Sequence, residues 1–179
     1  TLNLVIASVT TLNAGSYSCV VTGSNNTANS NSVQLTVNQL VAITQQPLTQ
    51  SKCDGDILIL EVTPNNPTYT YSWELNGAVL SNGGRISGAI SSKLVITNVT
   101  SADAGTYRCT VSNICNTETS NPAIVTINPV VNITTEPSNL NQCEGQSAFF
   151  SVVSNLSSVS YQWYKNGAIL NNGGNVSGA

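Results

Sequence analysis

The sequence repeats itself every 90 residues, and no other property constrains its fold as strongly. Cys19 and Cys109, Cys53 and Cys143, Trp73 and Trp163, and Gly83 and Gly173 are each 90 positions apart. The stretch LVIASVTTLNAGSYSCVV at 4–21 lies over LVITNVTSADAGTYRCTV at 94–111 without a gap. Of the 89 residue pairs that this offset allows, 36 are identical. Each repeat must therefore be one structural unit, and the chain an array of such units.

One unit, read from 39 to 128, gives only short strands. Val41–Thr44 is extended ahead of Pro47, and DILILEV at 56–62 is an apolar run between Asp-Gly and Pro-Asn. YTYSWEL at 69–75 alternates and ends in Asn76-Gly77, the dipeptide of a tight hairpin turn. KLVITNV, TYRCTVS and AIVTIN complete the set, and no window carries an apolar period of 3.6 over helical length. Short strands with turn residues every 8–12 positions predict an antiparallel sandwich or barrel.

Three features narrow this prediction. Trp73 stands on the third strand of the unit. DAGTYRC at 103–109 places Tyr107 two residues before Cys109, the arrangement of a tyrosine corner. The 90-residue unit also suits a sandwich of about 100 residues. On these residues the chain resembles immunoglobulin-like domains of the I-set type. It is most similar to the tandem Ig-like repeats of large secreted and surface proteins of Bacteroidota-type bacteria. CEGQSAFFSV, YQWYKNGAIL, the paired NGG and SGA motifs, LVITNVTSADAGTYRCTVSN and the cysteine of NIC carry that resemblance across the whole chain. It implies an all-β fold of tandem Greek-key sandwiches, with Trp73, Trp163, Tyr17 and Tyr107 in the cores.

Phased on the strand order of that fold, residues 1–38 supply the closing strands E, F and G of one domain. Residues 39–128 form a complete domain, and 129–179 supply the opening strands A, B, C and an edge strand of a third. The linkers VNQLVAI and INPVVNI leave almost no flexible residues, so neighbouring domains are expected at a restricted angle. A half-sandwich exposes its core face and its strand edges. The expected remedy is that sequence outside the chain, or a neighbouring chain, completes it. Two periods span 180 positions and the chain has 179 residues, which points to a two-domain window on a longer array or filament. The absence of an initial Met agrees with a piece of something longer.

The five cysteines leave several arrangements open. Cys109, like Cys19, matches the strand-F cysteine of a bridged Ig domain, but its usual partner position holds Val62, and Val152 in the next repeat. Cys53 and Cys143 open strand B, whereas Cys115 lies in the F–G hairpin. Those regions lie at opposite ends of a sandwich, more than about 20 Å apart, far beyond the roughly 7 Å between Cα atoms that a disulfide spans. An inter-domain bridge from Cys53 to an F–G hairpin, a Cys53–Cys109 bridge in a distorted sandwich, and free thiols all remain. Asn25 stands where Cys115 recurs, which favours a two-domain repeating unit.

Chemistry is weakly represented. With no His, a nucleophile activated by imidazole is excluded. Asp54 and Asp56 have Glu144 and Gln146 as repeat counterparts, so the pair is not kept. Asp103, with Asn13 as counterpart, is expected to fix the E–F corner by accepting hydrogen bonds. The eight acids are too dispersed for calcium, and no CxxC pair offers zinc a site. Five Asn-x-Ser/Thr sequons follow from a composition rich in those residues. Only 7% of residues are charged and the net charge is −3, with no cationic cluster for nucleic acid. No apolar run approaches the roughly 20 residues of a membrane span. The expectation is a non-enzymatic structural or adhesive segment of an extracellular surface protein or filament. It needs no cofactor, and its partners are neighbouring repeats. A ligand-binding Ig-like module, an accessory array of a larger secreted enzyme and an animal I-set protein are the alternatives.

Overall fold

A computed structural model describes residues 2–179. Its contacts divide the chain into two units, Thr1–Asn128 and Pro129–Ala179. Among the described residues there is no α-helix; two single-turn 3₁₀ segments, Thr11–Asn13 and Ser101–Asp103, punctuate an all-β chain.

The first unit opens with four short strands: β1 (Gly15–Tyr17), β2 (Val20–Thr22), β3 (Thr27–Asn29) and β4 (Val33–Leu35). They form two ribbons, β1 against β4 and β2 against β3.

A complete sandwich follows. Its first strands are β5 (Ile43–Gln45), β6 (Gln50–Cys53), β7 (Leu58–Glu61) and β8 (Thr63–Pro64). Next come β9 (Thr70–Leu75), β10 (Ala78–Val79), β11 (Ile86–Ser87) and β12 (Lys93–Ile96). The last are β13 (Gly105–Ser112), β14 (Thr117–Thr119) and β15 (Ala123–Asn128). One sheet runs β10-β9-β13-β15-β6, with β14 also paired to β13; the other runs β11-β12-β7, and β5 pairs with β8. Period-2 alternation decides which side chains face inward. Along β13, Tyr107, Cys109 and Val111 are buried, while along β7 Leu58 and Leu60 are buried. Between the sheets they meet Val62, Trp73, Leu94, Ile96, Val99, Ala123 and Val125. Each fully buried Leu, Ile or Val contributes on the order of 1.5–3 kcal/mol relative to exposure. The indole N–H of Trp73 donates to the Ser91 carbonyl at 2.8 Å, which satisfies the one polar atom of that side chain.

The hairpin at Asn76-Gly77 has φ of 52° and 84°, both left-handed as a tight two-residue turn requires. The Gly-rich stretch 81–90 connects this edge to β12. At Gly88, φ is 75° and an added Cβ would collide with the Lys93 carbonyl oxygen, so only glycine fits.

The second unit holds β16 (Ile133–Thr135), β17 (Val153–Ser154), β18 (Tyr164–Lys165) and β19 (Ala168–Ile169). β16 pairs with β17 and β18 with β19. It reproduces local geometry of the central sandwich. Leu170 N–H donates to the Trp163 carbonyl at 2.9 Å, as Leu80 does to Trp73 at 2.8 Å. The Gly173–Val176 bridge repeats that of Gly83–Ile86.

Candidate functional site

At the corner between β12 and β13, the Tyr107 hydroxyl donates to the Asp103 carbonyl at 2.7 Å. The Asp103 carboxylate accepts from the Thr100 N–H at 2.7 Å and the Thr100 hydroxyl at 3.1 Å. Arg85 approaches the same carboxylate with both guanidinium nitrogens, at 2.8 and 3.2 Å. Burial alone pushes the Asp103 carboxyl up. Hydrogen bonds from Arg85 and Thr100 and the guanidinium charge outweigh it and hold the group below its ordinary range. Burial, then the Asp103 charge, pushes Tyr107 up to about 12. The sequence indicated the corner but not the Arg85 ion pair, since Arg85 lies 18 residues away across an edge connection. Residues 1–38 build the same corner without charge. Tyr17 donates to the Asn13 carbonyl at 2.6 Å, and Asn13 Oδ1 accepts from the Thr10 N–H at 2.8 Å.

The core residues expected from the sequence are placed unequally. Trp73 and Tyr107 are fully buried. Tyr17 and Trp163 are half-buried, Trp163 with Phe150 6.2 Å away, centroid to centroid. Their neighbours lie open to solvent. Leu4, Val21 and Phe150 are 75%, 63% and 56% exposed, whereas their counterparts Leu94, Val111 and Leu60 are at most 1% exposed. All fourteen core residues of the central sandwich have an apolar counterpart 90 positions away. Those of Val41 to Ala89 fall in 129–179, those of Leu94 to Val125 in 1–38. The two flanks thus divide the counterparts of the central core between them.

The charges follow the same division. In the central sandwich Arg85 pairs with Asp103, Glu74 stands opposite Arg108, and Lys93 opposite Glu61. Their counterparts are Asn175 and Asn13, Tyr164 and Ser18, and Asn3 and Ser151. At each position both partners become neutral together. Glycine shows a matching vacancy. A Cβ on Gly105 would strike the Asn76 side chain, which lies against β13 and accepts from the Thr106 N–H at 2.9 Å. A Cβ added to Gly15, its counterpart, would meet nothing within 4 Å.

All five thiols are unpaired. Cys109 is buried, and burial pushes its thiol up to about 12 against a backbone hydrogen bond at Ser72 that lowers it. Cys19, Cys53, Cys115 and Cys143 are exposed. Cys53 ends β6, and Cys115 sits on the turn between β13 and β14, where its thiol lies 3.8 Å from the Asn38 carbonyl oxygen.

Residues 42–113 match the family model described as an immunoglobulin domain, and the fold is that of Ig-like β-sandwich repeats. Among relatives, the chain is 33% identical to mouse neogenin over 165 residues, 87% of this chain and 11% of neogenin. It is 28% identical to rat contactin-4 over 156 residues, 82% of this chain and 14% of contactin-4. The chain thus spans about a tenth of these relatives. Among solved structures, the tandem Ig repeats of Dlar share 26% identity at a TM-score of 0.47, over 50% of this chain and 49% of that one. No helix among the described residues is long and apolar enough to cross a membrane.

Proposed function

We propose that this chain is a non-catalytic, structural or adhesive segment of a long extracellular surface protein or filament. Neighbouring Ig-like repeats are its partners. In this reading residues 1–38 close one domain, 39–128 are a complete domain, and 129–179 open a third. The observation that carries it is the split core: each of the fourteen apolar core residues of the central sandwich has an apolar counterpart in one flank, exposed or half-buried there. Contiguous exposed apolar faces mark interaction surfaces. The concerted loss of three opposed charge pairs supports 129–179 and a segment like 1–38 as halves of one domain. The exposed Phe150 and half-buried Trp163 hold positions that are core in the central sandwich, which favours packing over ligand stacking. Val62, where a bridged domain carries its second cysteine, and the sparse charge support the Bacteroidota type of repeat over the animal I-set type.

Amide hydrogen exchange at low and high protein concentration tests this reading. Protection of β1, β2, β17 and β18 that grows with concentration, while β9 and β13 stay constant, is the expected result. Flanks that exchange freely at every concentration would contradict assembly through them.

A further inference from the structure

We propose that Cys115 forms a disulfide with the cysteine that closes the β6-type strand of the preceding Ig-like unit. In head-to-tail copies of this chain, that is Cys143 of one copy and Cys115 of the next. The proposal rests on the tandem-array reading above.

Two local contacts, related by the 90-residue repeat, bring these cysteines to one place. Cys53 stands opposite Asn128 in the parallel β6–β15 ladder, and the Asp54 N–H donates to the Asn128 carbonyl at 2.9 Å. Asn38 is the counterpart of Asn128, so in a head-to-tail array Cys143 of the preceding copy takes the place opposite Asn38. Asn38 also meets Cys115, through the same carbonyl oxygen. The Cys115 thiol lies 3.8 Å from the Asn38 carbonyl oxygen, and the Asn113 side chain donates to the Gln39 carbonyl at 2.6 Å. Asn113 Oδ1 also accepts from the Cys115 N–H at 2.8 Å, which fixes the turn that presents the thiol. Both cysteines are therefore brought to one backbone carbonyl. Neighbouring strands lie about 4.8 Å apart, and a disulfide spans Cα atoms about 4.4–6.8 Å apart.

The pairing alternates along the array. Asn25 replaces cysteine at the counterpart of Cys115, so the junction that follows the central sandwich lacks one thiol and Cys53 stays reduced. Cys19 and Cys109 occupy the β13-type core position and take no part. In the reaction two thiols lose two protons and two electrons to a low-molecular-weight disulfide such as oxidised glutathione, which is released as two thiols.

The test uses the full chain, concentrated with oxidised glutathione, then resolved on non-reducing gels and digested for mass spectrometry. A disulfide ladder dominated by Cys115–Cys143 peptides is expected. Cys115→Ser and Cys143→Ser should each lose the ladder alone, while a mixture of the two should restore a single dimer rung. Chains that sediment as assemblies with both thiols free, or with Cys53 linked as often as Cys143, would overturn the pairing and leave the array reading standing. Chains that stay monomeric with free thiols would overturn both.

Discussion

The Tyr107 hydroxyl donates a 2.7 Å hydrogen bond to the carbonyl of Asp103 inside a core that excludes water from both. Removing a buried donor while its acceptor stays in place costs about 1–3 kcal/mol. Tyr107→Phe should therefore lower the unfolding free energy of the central sandwich by that amount, seen as a lower urea midpoint at an unchanged denaturant slope. Tyr17→Phe, at the exposed copy of the corner, should leave that transition where it is.

Asp103 links the corner to pH. Its carboxyl is held below the ordinary 3.8, so its contribution is fully present above that value and is lost as pH falls through the lower folded value. Asp103→Asn keeps an amide oxygen for Thr100, as Asn13 does for Thr10, but loses the charge. The stability gap between wild type and Asp103→Asn should shrink as denaturation curves move below pH 3.8. Asp103→Ala loses the Thr100 hydrogen bonds as well and should cost about 1 kcal/mol more than Asp103→Asn at neutral pH.

How far the sequence foretold this arrangement varies with the kind of signal. Trp73, Tyr107 and the inward faces of β9, β12 and β13 were legible because period-2 alternation and the tyrosine-corner spacing are local and occur twice. The parallel β6–β15 pairing was not. Gln50, Ser51 and Lys52 are all polar and have no apolar alternation to mark a strand. Strand β14, Thr-Glu-Thr, was hidden likewise, because it is held by a turn built on Asn113 side-chain bonds. Arg85 was missed because an ion pair between side chains 18 residues apart leaves no periodic trace.

Burial of Cys109, whose thiol is pushed up to about 12, separates it from the four exposed cysteines. At pH 8, a thiol-reactive dye should label Cys19, Cys53, Cys115 and Cys143 of the reduced chain promptly. Cys109 should react only at the rate of unfolding, and urea should abolish the difference.

Gly88→Ala places a Cβ against the Lys93 carbonyl at a left-handed φ of 75°. It should destabilise the central sandwich by more than 1 kcal/mol, since the strain adds to the usual positive-φ penalty of about that size. Thermal unfolding followed by Trp73 fluorescence reads this directly.

Val21 offers the most direct test of the split core. It is exposed here, while its counterpart Val111 is wholly buried. Val21→Asp therefore leaves the central sandwich untouched and places a charge where the two halves would pack. Sedimentation equilibrium of the reduced chain, from dilute to concentrated, is the decisive measurement. Wild type should rise from 18.7 kDa through whole multiples of that mass, and Val21→Asp should stay at 18.7 kDa throughout. A wild-type chain that remains at 18.7 kDa at every concentration, or a Val21→Asp variant that assembles equally well, would contradict the account.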